Sequence, residues 1–156
     1  MIARQPSPKA QLSALLSRFP REIAAMATQC LTRLRRAFPG TYELVYDYAK
    51  SVVVAFGASE RGHEAIVALA VFPDSVRLYF DKSLPDPGRL LEGSGSKVRA
   101  VTLEDASDMD GADIKSLIEA AIEHAGVSLP RTHLPTRMVI KSASKKHAAR
   151  KTARAH

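Results

Sequence analysis

The 156-residue sequence predicts an α+β domain of two layers: a helix, a mainly antiparallel sheet of five strands, and a closing helix. Two observations carry that reading. Apolar residues recur at helical spacing in PREIAAMATQCLTRLRRAF and again in the stretch from Asp110 to Ala125. Between them the period drops to two in TYELVYDY, and four more short apolar runs follow with turn residues between them.

A short helix is expected from about Pro8 to Arg18, with Ser7 as its N-cap. The next helix places Ile23, Met26, Ala27, Cys30, Leu31, Leu34 and Phe38 on one stripe. Pro20 stands near its first turn, Arg33, Arg35 and Arg36 near its last, and Pro39-Gly40 end it. TYELVYDY sets Tyr42, Leu44, Tyr46 and Tyr48 on one face and Thr41, Glu43, Val45 and Asp47 on the other. SVVVAFG and EAIVALAVF, joined by ASERGH, are too apolar on both faces for an open edge and belong in the middle of the sheet. SVRLYFD is a fourth strand and VRAVTLE a fifth. The loop between these two is long enough to permit a crossover, and a turn of helix is expected near Arg89 to Glu92. The last helix stops at Gly126. Two amphipathic helices cover one face of such a sheet. The tyrosines, Phe56 and Phe72 are then candidates to line the other face, where an apolar concavity would be a ligand pocket or a dimer surface.

One core of this length makes one domain. Its expected parts are an N-terminal extension over 1–19, the α+β domain over 20–126 and a basic tail over 127–156. Residues 1–130 hold 15 Lys or Arg against 16 Asp or Glu, whereas residues 131–156 hold eight basic residues and no acid, so the net charge of +7 belongs to the tail. With no aromatic or large aliphatic residue after Ile140, the tail's end is expected to be disordered. No run of eighteen apolar residues occurs and no secretion signal is visible, so a cytoplasmic protein with no membrane partner is expected.

From about Phe19 to Ala125 the sequence resembles the YdhG-like family, domain of unknown function 1801, some of whose members are described as frataxin-like intracellular iron chaperones. The likeness lies in FPGTYELVYDYAKSVVVAFG, in VRLYFDKSLPDPGRLLEGSGSKVRAVTLE and in the closing DGADIKSLIEAAIEHA. It implies the helix, five-strand, helix layout and a non-enzymatic carrier, with iron as ligand and an acceptor protein as partner.

Three stretches are candidate sites. Glu104, Asp105, Asp108, Asp110 and Asp113 gather hard oxygen ligands suited to Fe²⁺, Mg²⁺, Mn²⁺ or Ca²⁺. The competing reading makes Asp108 or Asp110 the N-cap of the last helix, with the other carboxylates favoured by its dipole. An EF-hand loop is excluded: with Gly111 at the turn, position 1 would be Ala106 and position 12 Leu117. Gly93, Gly95 and Lys97 of GSGSK form a possible anion nest, although the segment runs into a strand and not a helix. Lys141, Lys145, Lys146, Arg150, Lys151 and Arg154 could bind nucleic acid nonspecifically through phosphates.

Elsewhere, catalytic signatures are missing. The five histidines include no HExxH and no close pair, no GxSxG occurs, and Cys30 falls on the apolar stripe as an inert thiol. A non-enzymatic binding or carrier protein is therefore expected. The alternative is a nucleic-acid-associated protein acting through its basic tail.

Overall fold

The computed structural model describes residues 6–93, 98–130 and 134–141. Helix α1 (Pro8–Leu16) opens at Ser7, whose Oγ accepts a hydrogen bond from the Ala10 amide at 3.2 Å. Helix α2 (Arg21–Ala37) follows Pro20 and buries Ala27, Cys30, Leu31 and Leu34 along the expected stripe. Strands β1 (Tyr42–Asp47), β2 (Val52–Gly57), β3 (Ala65–Phe72), β4 (Ser75–Asp81) and β5 (Val98–Leu103) come next. A 3₁₀ turn over Ala106–Asp110 leads into α3 (Ala112–Ala125), which ends at Gly126 with φ of 70°. That left-handed cap costs a glycine little and any β-carbon more.

The sheet order is β5-β4-β3-β2-β1-β6, where β6 is Arg137–Lys141. Strands β1 to β5 form an antiparallel meander with β2 and β3 central, as their two apolar faces require. The long β4–β5 loop makes no crossover, since β4 and β5 pair antiparallel from Val76↔Leu103 to Asp81↔Val98. Nor does it contain the helical turn expected at Arg89 to Glu92. Arg89 has φ of 53°, Glu92 bridges Ala100, and the Asp86 carboxylate accepts from the Leu90 and Leu91 amides at 3.0 and 2.8 Å. Local bonding from an aspartate to the backbone replaces helix here.

The sixth strand corrects the expected boundary at 127. Arg137–Lys141 pairs parallel with β1, from Tyr42↔Arg137 to Tyr46↔Lys141. Met138 and Ile140 pack against the core, so this part of the basic segment does own the apolar contacts that hold a strand in place. Residues 142–156, expected to be disordered, lie outside the described residues.

Register places Val45, Val54, Leu69 and Leu78 in one row across the sheet, all buried. The three helices cover this side: α1 meets β6, α2 crosses β3 and β4, and α3 packs on β3. Phe56 lies here as well, its ring centroid 5.8 Å from that of Phe38. It does not line the opposite face, because Val52, Val54 and Phe56 alternate with Val53 and Ala55. Truncating either phenylalanine to alanine in a core of this kind costs about 3–5 kcal/mol.

Candidate functional site

The acidic stretch after β5 is taken up by its own backbone and by one arginine. Asp105 caps the 3₁₀ turn, accepting from the Ser107 amide at 3.0 Å and from the Ser107 hydroxyl. Asp108 closes the capping box, accepting from the Glu104 and Asp105 amides at 2.9 and 3.1 Å. Both carboxylates satisfy helix-start donors that would otherwise face water.

Asp110 caps neither helix. Its two oxygens accept from Nε and an Nη of Arg33, each at 3.0 Å, which ties the segment to α2. The cap of α3 is Gly111, in extended conformation and without a side chain to offer. Asp113 lies in the first turn of α3, and Glu104 is exposed. Among the described residues, no group of three or more His, Cys, Asp or Glu side chains is arranged to hold a metal ion.

These contacts set an acid dependence. The Ser107 hydrogen bonds hold the Asp105 carboxyl below the usual range, the Arg33 hydrogen bonds do the same for Asp110, and those from Ser83 for Asp81. A depressed folded-state pKa stabilises above the unfolded value, near 3.9, and that contribution disappears as pH falls through the folded value. The urea midpoint is therefore expected to be nearly flat from pH 7 to about 5 and to drop below about pH 4. D110N should shrink the drop; an unchanged profile in that variant would exclude Asp110 as a contributor.

The side of the sheet turned away from the helices has a different chemistry. Strand alternation sets Tyr42, Leu44 and Tyr46 of β1, Phe72 of β3, Arg77 and Tyr79 of β4, and Arg137, Val139 and Lys141 of β6 on this side. The Arg137 guanidinium sits 4.3 Å from the Tyr42 ring centroid, and that of Arg77 lies 5.2 Å from Phe72. Arg77 and Arg137 are exposed, whereas the four aromatic rings of these strands are half-buried. The Tyr46 and Tyr48 rings stack at 6.1 Å. Burial, followed by the proximity of Tyr48, pushes the Tyr46 phenol up, so it stays protonated as a donor at neutral pH.

The β2–β3 turn folds against one end of this surface. Lys141 Nζ donates to the Glu60 carbonyl at 2.9 Å, and a β-carbon on Gly62 would collide with the Tyr46 hydroxyl. At the end of β4 the Asp81 carboxylate is drawn toward α3, accepting from Ser83, which in turn meets His124. The sequence placed Lys141 in a loose tail, yet here it belongs to a strand. Lys145, Lys146, Arg150, Lys151 and Arg154 lie outside the described residues. Gly93 is exposed with φ of 110°, while Gly95 and Lys97 also lie outside them.

Two arrangements resemble catalytic pieces and do not complete one. Ser83 Oγ is 2.9 Å from His124 Nε2, but the serine's only proton goes to Asp81, so the oxygen is left as the acceptor in the histidine contact. A triad requires the reverse, with histidine accepting from serine. Cys30 is fully buried, and desolvation pushes its thiol up to about 12, which suppresses the thiolate.

Glu43 went unnoticed in the sequence because alternation grouped it with Thr41 and Asp47 as a polar face. It is fully buried, and Arg35 donates to both of its oxygens at 2.9 and 2.7 Å. Thr136 Oγ1 adds a third bond at 2.8 Å. The carboxylate thus ties the last turns of α2 and the approach to β6 onto β1. The one available signal was that Val45, two residues on, had to face the core.

Comparison with protein-family models, curated proteins and solved structures finds no match to the chain. The YdhG-like likeness therefore rests on the three sequence segments that suggested it. No helix among the described residues is long and apolar enough to cross a membrane.

Proposed function

We propose that this is a non-enzymatic protein that binds single-stranded nucleic acid on the uncovered face of its sheet, with the basic C-terminal segment holding further phosphates. One observation carries the reading: exposed Arg77 and Arg137 lie beside half-buried aromatic rings on a face that no described helix covers. Aromatic rings accept unpaired bases by stacking, and guanidinium groups neutralise phosphates or stack in turn. The β6 strand then leads directly into residues 142–156, which hold five more Lys or Arg and no acid. A duplex keeps its bases stacked inside and offers this face only its backbone.

Fluorescence anisotropy with a labelled single-stranded oligonucleotide tests this. Affinity should fall with salt at a log–log slope of roughly −0.7 per phosphate contact. R77Q/R137Q is expected to flatten that slope by about 1.4. Tyr42→Ala should weaken single-strand binding by about 1–3 kcal/mol, the usual range for a lost stacking partner. Equal affinity for single strand and duplex, or variants that bind like the parent, would refute the sheet-face reading.

The rival reading is iron carriage by Glu104, Asp105, Asp108, Asp110 and Asp113, handed to an acceptor protein. It would require Asp105, Asp108 and Asp110 to surrender the bonds described above. Anaerobic ferrous titration of the full chain and of its four-aspartate-to-asparagine variant decides it, since saturable binding lost in the variant would revive it.

A further inference from the structure

A cleft on the helix side, remote from the uncovered sheet face, has its own chemistry. It lies between α1, α2 and β6 and has two connected parts that share Lys9, Arg35 and Met138. The first, about 670 Å³, is lined by Lys9, Arg35 and Arg36 with the hydroxyl residues Ser7, Thr32 and Thr136, and among the described residues no carboxylate lines it. The second, about 610 Å³, is a groove floored by buried Leu12, Leu16 and Leu31, and the small Ala24 and Ala25 leave room between the helices.

The cations of the first part are unequally engaged. Arg35 is bound to Glu43 and lends rigidity more than free charge. Among the described residues, Lys9 and Arg36 make no ion pair and no side-chain hydrogen bond. Arg36 feels the Asp110 carboxylate only through space, without a direct pair. Two cations with no direct partner, among hydroxyls at the mouth of an apolar groove, complement a ligand with one anionic end and one alkyl chain.

We infer that this cleft binds a free long-chain acyl anion, its carboxylate against Lys9 and Arg36 and its chain along the groove between α1 and α2. The carboxylate exchanges water for charge-assisted bonds, while the chain leaves water for Leu12, Leu16 and Leu31. An alcohol of equal length keeps only the second gain, and inorganic phosphate only the first. The inference is independent of nucleic-acid binding and survives if that reading fails.

Isothermal titration of the full chain with monomeric dodecanoate, dodecanol and inorganic phosphate tests it. Dodecanoate is expected to saturate at one equivalent and to bind at least ~10-fold more tightly than either other probe, the separation expected when one charge-assisted contact of about 1.5 kcal/mol is lost. K9Q/R36Q should weaken dodecanoate ~10-fold or more and leave dodecanol unchanged. In the parent protein, amide shifts on adding dodecanoate should concentrate in residues 9–36 and 134–141, a readout that needs no variant. Dodecanoate binding no tighter than dodecanol, shifts confined to other regions, or association with anionic vesicles without binding of the monomeric anion would each overturn the assignment.

Discussion

Replacing Glu43 with alanine is expected to destabilise the protein by about 3 kcal/mol or more, the lower part of the range for removing one partner of a buried ion pair. In a chain of this size that lowers the melting temperature by roughly 10 °C. The loss falls at the low end because Arg35 keeps 31% of its side chain exposed and can rehydrate, while Glu43 has none exposed. What cannot rehydrate readily is the space on β1, where three hydrogen bonds vanish together.

The companion variant separates charge from packing. E43L/R35M removes both ions and restores apolar volume, and buried pairs replaced in this way are commonly neutral or stabilised. Thermal unfolding followed by circular dichroism should place the double variant within a few degrees of the parent and well above E43A. If E43A melted within about 2 °C of the parent, less than 1 kcal/mol at this size, the pair would contribute nothing to stability and the anchoring role given to Glu43 would fail.

That buried glutamate also marks the limit of what the sequence discloses. Helix α2 and the β2–β3 hairpin were legible because their signals are local: a 3.6-residue stripe, and two apolar runs around a turn. Glu43 was illegible because the partners that make its burial tolerable, Arg35 and Thr136, are not identified by any local pattern, and Thr136 is 93 residues distant. The acidic stretch was legible in kind and shifted in place. A capping box does occur, but on Asp105 and Asp108 ahead of a 3₁₀ turn, while Asp110 answers to Arg33, 77 residues away. Strand β6 was hidden by composition. Its apolar members Met138, Val139 and Ile140 stand among Arg137 and Lys141 ahead of a basic run, and its parallel partner lies far back in the chain. The uncovered face could not be chosen from β1 alone, since both of its alternating sets carry apolar residues; the choice was forced by the register of the whole sheet.

The strand that composition hid can be tested by where the chain is cut. A chain ending at Lys141 retains β6 and should melt within about 2 °C of the parent, because surface changes of this kind usually stay within about 0.5 kcal/mol. A chain ending at Pro130 loses the parallel ladder on β1, the Thr136 bond to Glu43, and the packing of Met138 and Ile140. Ordering five strand residues costs roughly 1–2 kcal/mol each, so the net contribution of β6 is smaller than the sum of its contacts, and a loss of about 3 kcal/mol is expected. The β1 edge is also laid bare, with unpaired amides and carbonyls that invite pairing between molecules. The shorter chain should therefore melt roughly 10 °C lower and show larger species on size exclusion. Oligonucleotide binding makes the same two cuts informative about function. Ending at Lys141 removes Lys145, Lys146, Arg150, Lys151 and Arg154 and should flatten the salt slope by about 3.5 at most, while the single-strand preference set by Tyr42, Arg77 and Arg137 persists. Loss of that preference together with the slope would place the whole interaction in the tail and leave the sheet face without a part in it.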